Sequence, residues 1–226
     1  MALAAVGAAV AGAVFATERR PLCACTIEPG ARSFAVDAAG RFEASVRGGD
    51  LTGAWAQLTP GAQARYVDPA GFRPVFERLG TALRDLTGNQ TRWLAVADEI
   101  DYTRAKPSEV VVARYSTGPT RPLWAMVVLV PPGPAGHEQV DPEPGSLTVR
   151  AKRDDHGGVL VEFADGELTR TWFRTVDGAG MPTLPRQESV SPGARRLTWP
   201  APPSGTLLTI VVGHAGERWL VGWVTA

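Results

Sequence analysis

The chain has 226 residues, enough for one large domain or two small ones. At 44% hydrophobic and 20% charged it has a globular composition, which excludes a disordered chain and one wholly embedded in lipid. Its formal net charge of zero gives no electrostatic footprint for a polyanion, so nucleic acid is not an expected partner.

Residues 2–16 carry no polar side chain. That run falls short of the ~20 residues needed to span a bilayer core, although Met1 and Thr17 extend it. No basic segment precedes it, as one would in a signal peptide. Two readings stand for residues 1–17: a signal peptide cut after Ala16, or an uncleaved transmembrane anchor whose basic start lies upstream of a late start codon. Both imply export to, or anchoring at, the extracytoplasmic face of the cell membrane, or secretion. Residues 18–33 then read as a stalk. They hold both cysteines, Cys23 and Cys25, as candidates for lipidation in a poor lipobox or for a small, strained C-x-C disulfide. Two cysteines without a nearby histidine cannot complete a four-ligand zinc site. Lys106 and Lys152 are the only lysines among 23 basic residues. With abundant Ala, Gly and Pro, this suggests an actinobacteria-like, GC-rich bacterial host.

The next stretch reads as helices with clear stops. A first helix is expected from Phe34 to Gly48, with Asp37 as a candidate cap and Phe42 and Val46 on one face. Gly48-Gly49 ends it, because glycine tolerates the left-handed conformation that closes a C-terminus. Asp50 is a good N-cap for a second helix, in which Leu51, Ala54, Trp55 and Leu58 share one face. Thr59-Pro60 restarts the pattern and Asp68-Pro69 repeats it. Phe72, Val75, Phe76, Leu79, Leu83 and Leu86 form a further stripe. Pro74 either delays the start of that helix to about Arg73 or kinks it.

The run FEASVRGGDLTGAWAQLTPGAQARY, followed by strands, resembles the nuclear-transport-factor-2-like (cystatin-like roll) superfamily over residues ~36–130. The likeness is to bacterial extracytoplasmic members of the type "F…R.GD…AW..LTP.A…Y". It implies helices packed on a curved antiparallel sheet. Enzymes of the superfamily, such as ketosteroid isomerase and the polyketide cyclases, place Asp, His and Tyr in the cone between helices and sheet. Tyr66, Asp98, Asp101, Tyr102 and Tyr115 are the weak pocket candidates here, and none matches a family motif residue by residue.

After the turn at Thr87-Gly88-Asn89 the apolar period becomes two. Strands are expected over residues 93–102, 109–115 and 123–130, the latter two with continuous apolar runs. Helices first and an antiparallel meander second define an α+β order, so residues 34–130 read as one roll-like domain. Residues 131–145 hold five prolines and three glycines and read as a linker. Residues 146–226 alternate in short strands at Leu147–Ala151, Val159–Phe163, 168–176, Leu197–Trp199, 206–212 and 219–224, with 178–192 loop-like. They suggest a separate β-sandwich-like domain. In the competing arrangement the closing hairpin completes the roll and the middle is an insertion.

Catalytic chemistry is hard to find. His137, His156 and His214 fall in turns. No zincin spacing, nucleophile elbow, S-x-x-K or phosphate cradle is present. No catalytic, cofactor or metal residue is expected. Trp172, Trp199, Trp219 and Trp223 read chiefly as packing, with an exposed aromatic strip as the competing assignment. The sequence points to a membrane-anchored or exported, non-catalytic bacterial protein that binds a small molecule or a protein outside the membrane. Two alternatives are an extracytoplasmic enzyme with its site in the cone, and an accessory partner of the cell-wall machinery.

Overall fold

The computed structural model describes residues 31–84, 91–99, 106–116, 121–153, 155, 158–164, 168–183, 187–191, 194–199 and 206–226. The expectations for residues 1–17 and for Cys23 and Cys25 lie outside them. Among the described residues, no helix is long and apolar enough to cross a membrane. Over the described residues the fold is α+β, with four helices and mostly antiparallel sheets.

The helices are α1 (Ala31–Arg47), α2 (Leu51–Ala56), α3 (Pro60–Tyr66) and α4 (Pro69–Arg84). Helix α1 begins before the expected Phe34, so Asp37 lies inside it rather than at its cap. Its end is a Schellman turn. Gly49 adopts φ 73°, its N–H donates to the Val46 carbonyl, and the Asp50 N–H donates to that of Ser45. The Asp50 carboxylate then accepts from Gly53 N at 2.8 Å, and the Thr59 hydroxyl accepts from Ala62 N at 3.1 Å with Pro60 behind it. Helix α4 runs unbroken through Pro74 from Pro69.

Between α3 and α4 the backbone makes a γ-turn. Val67 sits at φ 72°, ψ −51°, and the Asp68 N–H donates to the Tyr66 carbonyl at 2.9 Å. This turn is rare, and strained for a β-branched side chain.

The strands build three sheets. Sheet A is β1 (Thr91–Glu99), β2 (Ser108–Ser116), β3 (Arg121–Val130) and β4 (Gln139–Asp141), in that order and antiparallel. Strand β4 falls within the Pro/Gly-rich segment, as an edge strand only three residues long. It also joins the helices to the sheet: Thr59 N donates to the Val140 carbonyl and Val140 N to that of Gln57.

Sheet B has the order β5 (Gly145–Ser146), β13 (Arg218–Thr225), β12 (Leu207–Ala215), β8 (Arg170–Asp177) and β9 (Pro182–Thr183). Sheet C has the order β10 (Gln187–Ser191), β11 (Ala194–Trp199), β7 (Val159–Ala164) and β6 (Val149–Arg153). Strands β9 and β10 occupy a stretch expected to be loop. Both are edge strands, which need no apolar alternation.

Three apolar clusters stack these layers. Helices α1–α4 cover one face of sheet A around Phe42, Phe72, Trp124 and Met126. The other face of sheet A (Val111, Ala113, Tyr115, Val127) meets sheet B through Ile210, Val212, Trp219 and Val221. The far side of sheet B (Leu207, Val211, Phe173) packs on Val161, Phe163, Leu197 and Trp199 of sheet C. Each fully buried Leu, Phe or Ile contributes about 1.5–3 kcal/mol by leaving water. The closing β12–β13 hairpin therefore belongs to sheet B, and faces sheet A rather than extending its edge.

Candidate functional site

A strap of six residues, 141–146, leaves β4 and crosses to sheet B. Its first half is tied to the helical layer. Arg65 donates to both Asp141 oxygens at 3.0 and 2.7 Å, a bidentate pairing that fixes the guanidinium plane. The Tyr66 hydroxyl donates to Glu143 Oε2 at 2.6 Å, and Arg78 pairs with the other Glu143 oxygen. Indole Nε1–H of Trp124 donates to the Pro142 carbonyl at 3.0 Å, buried. The second half is tied to sheet B, where β5 runs parallel to Leu220 and Val221 of β13 and Leu147 N donates to the Val221 carbonyl.

This network explains how the nearby groups titrate. Burial, then the bond to Glu143, pushes the Tyr66 hydroxyl well above the usual tyrosine range. Arg65 is raised chiefly by its hydrogen bond to Asp141 and stays cationic.

A cleft of about 350 Å³ opens where sheets A and B part, with the strap as one wall. Its floor is Val127 and Leu129 of β3, with Glu109 of β2 opposite Leu129 in register. Thr59, Pro60 and Arg65 line the α3 side, and Glu217, Arg218 and Trp219 the β12–β13 turn. Trp219 donates its indole N–H to Glu109 Oε2. Its ring is held by Trp172 at 5.3 Å and His214 at 4.8 Å between centroids. On the other side of the strap, a notch of about 320 Å³ is lined by Arg78, Leu79, Trp124, Val221 and the exposed Trp223, among others.

A second charged group lies on the helical face of sheet A. The buried Glu43 pairs with Arg47 at 2.8 Å and Arg114 at 3.2 Å, and Arg114 lies over the Trp93 ring. Burial lowers the Arg114 pKa, but all three charges are mutually engaged. Likewise Glu138, almost fully buried, pairs with Arg41 and accepts from Gly136 N, pinning the loop after β3 to α1.

Among the described pocket candidates, Tyr66 and Tyr115 are not brought together. Tyr66 ends α3 and points to the strap. Tyr115 lies on the opposite face of sheet A, in the core against sheet B, where burial raises its pKa. Asp98 stands on β1 opposite Val110, and Asp101 and Tyr102 lie outside the described residues. Between helices and sheet, ring contacts among Phe42, Phe72, Trp55, Tyr66, Phe76 and Trp124 fill the space at centroid distances of 5.1 to 6.4 Å. His137 lies in the loop before β4, as expected; His214, expected in a turn, lies instead in β12 with its ring centroid 4.8 Å from that of Trp219, and His156 lies outside the described residues. Among the described residues, no cluster of His, Cys, Asp and Glu could hold a metal ion.

Trp172, Trp199, Trp219 and Trp223 do not form one strip. Trp199 is buried against the sheet B–sheet C core, Trp172 and Trp219 stack under sheet A, and only Trp223 of the four is exposed.

The cleft residues Glu109, Asp141 and Glu143 did not stand out in the sequence, and Trp219 did so only as one of four tryptophans read as packing or as an aromatic strip. One signal was available: Glu109 shares its alternation with Val111, Ala113 and Tyr115, so an acidic side chain faces the same way as a buried row. No family model, curated protein or solved structure matches the chain.

Proposed function

We propose that this chain is a membrane-anchored or exported bacterial binding protein, working at the outer face of the membrane, and that the cleft between sheets A and B receives its ligand. The observation that carries the binding half is the cleft itself. It has a volume at the small end of the ligand-pocket range, an apolar floor and a few polar groups in fixed positions. Those polar groups are held by one another: Asp141 by Arg65, Glu143 by Tyr66 and Arg78, Glu109 by Trp219. Groups anchored in this way suit recognition, because their geometry exists before a ligand arrives. A general base instead needs a free lone pair aimed at the proton it takes.

The extracytoplasmic half rests on the apolar run at residues 2–16 and on the resemblance to extracytoplasmic roll domains. Four helices on one face of a four-stranded antiparallel sheet are in keeping with that resemblance. The test is to express the intact chain with a C-terminal tag in a GC-rich bacterial host, separate membrane, secreted and cytosolic fractions, and treat whole spheroplasts with protease. Tag in the membrane or secreted fraction, digested from outside, is expected. Tag confined to the cytosol and protected would end the proposal.

A further inference from the structure

We infer that the cleft takes a small amphipathic ammonium compound, with its cation on Glu109 and its apolar body over Val127, Leu129 and Trp219; this rests on reading the cleft as a binding site. Charge balance in the lining singles out Glu109. The lining carries four carboxylates, Glu109, Asp141, Glu143 and Glu217, against the guanidinium groups of Arg65 and Arg218. Asp141 is matched by Arg65, and Glu143 by Arg78 from behind the strap. The exposed turn residues Glu217 and Arg218 balance each other in sign. Among the described residues, the partner of Glu109 is the neutral indole N–H of Trp219, which orients the carboxylate without neutralising it.

Position sharpens the point. Glu109 is half-buried beside the apolar floor of Val127 and Leu129. A carboxylate so placed favours a cation that brings its own hydrogen-bond donors and can shed part of its water against apolar walls. An ammonium group on a short aliphatic or aromatic body meets both demands. A carboxylate or phosphate ligand meets neither, since Glu109 repels it. Tilted ring contacts of Trp219 with Trp172 and His214 keep the indole, and through it Glu109, in place before binding.

The test uses the intact chain labelled with 15N at its seven tryptophans, with the Trp219 indole N–H resonance assigned from Trp219→Phe. Phenethylamine, phenethyl alcohol and phenylacetate are titrated separately. The expected result is a saturable shift of the Trp219 resonance by phenethylamine alone, weakened at least tenfold by Glu109→Gln and by high salt. Glu217→Gln should change it less than twofold. Should Glu109→Gln disturb folding, Glu109→Asp, which keeps the charge, is expected to retain the preference for the amine over the alcohol. Equal binding of amine and alcohol would overturn the proposal while leaving a binding cleft. No saturable shift with any probe would overturn it too. Neither result bears on the fractionation experiment, which tests the location of the chain separately.

Discussion

Replacing Val67 by glycine should stabilise the protein, contrary to the usual effect of glycine. Val67 joins α3 to α4 at φ 72°, ψ −51°, and its side chain is 82% exposed. A non-glycine residue held in a sparsely populated backbone region costs about 1–3 kcal/mol. A glycine there relieves most of that cost, and the extra freedom it gives the unfolded chain returns about 0.5–1 kcal/mol. Little burial is lost, because Val67 packs against almost nothing. The net expectation is about 1 kcal/mol of added stability, or a rise of roughly 2–4 °C in Tm for a chain of this size. Val67→Ala keeps the β-carbon and should recover only a small part of the gain. Denaturant unfolding at unchanged slope, together with a thermal melt, measures it. If Val67→Gly lowers the midpoint, as a glycine placed in ordinary loop or helix backbone would, the γ-turn is not strained and the reasoning fails.

Three other outcomes are expected. Phe72→Ala should cost about 3–5 kcal/mol, since the ring is fully buried among Phe42, Trp55, Tyr66 and Phe76, and hydrogen exchange should show α1 and sheet A loosening before sheet C. Trp124→Phe leaves the buried Pro142 carbonyl without its donor and should cost about 1–3 kcal/mol in denaturant unfolding; a neutral result would mean water reaches that carbonyl. Tyr66 keeps its proton when folded at pH values where an unfolded tyrosine, with a pKa near 10, loses it. The unfolded chain then binds fewer protons, so stability is fully present below about pH 10 and declines above it; the decline in unfolding free energy between pH 9.5 and 11 should be shallower in Tyr66→Phe than in wild type.

Much of the helical layer was legible because its signals are local. Asp50, Thr59-Pro60 and Gly48-Gly49 act within one turn of chain, and each does in the fold what its side chain or backbone allows. The central strands of sheet A were legible for the same reason: 110–113 and 124–130 are continuous apolar runs because helices cover one face and sheet B the other. The edges were not. Strands β9 and β10 pair on one side only, and β4 has only β3 and a single bridge to Leu58, so prolines and polar residues suffice there and leave no periodic mark. The cleft was hidden more deeply. Its groups come from α3, β2, β3, the strap and the β12–β13 turn, so Arg65 meets Asp141 across 76 residues and Glu109 meets Trp219 across 110. No spacing rule reads pairs that distant. Asp37 misled for the opposite reason: a residue type that favours caps also sits in helix interiors when the helix begins earlier than its apolar stripe suggests.

The central position of sheet B has a consequence for how the chain assembles. Strands β12 and β13 follow every strand of sheets A and C in the chain, yet they form the middle of the sheet that both others rest on. As the chain emerges from a ribosome or a translocation pore, the apolar rows of Val111, Ala113 and Val127 on one side, and Val161, Phe163 and Leu197 on the other, have only β8 (Trp172, Phe173, Val176) of the central sheet to cover them until residues 207–225 arrive. During that interval the nascent molecule presents two sticky surfaces at once, the condition under which partly made chains seek each other or a chaperone. The core of this protein is therefore closed only when one late hairpin enters between two waiting walls.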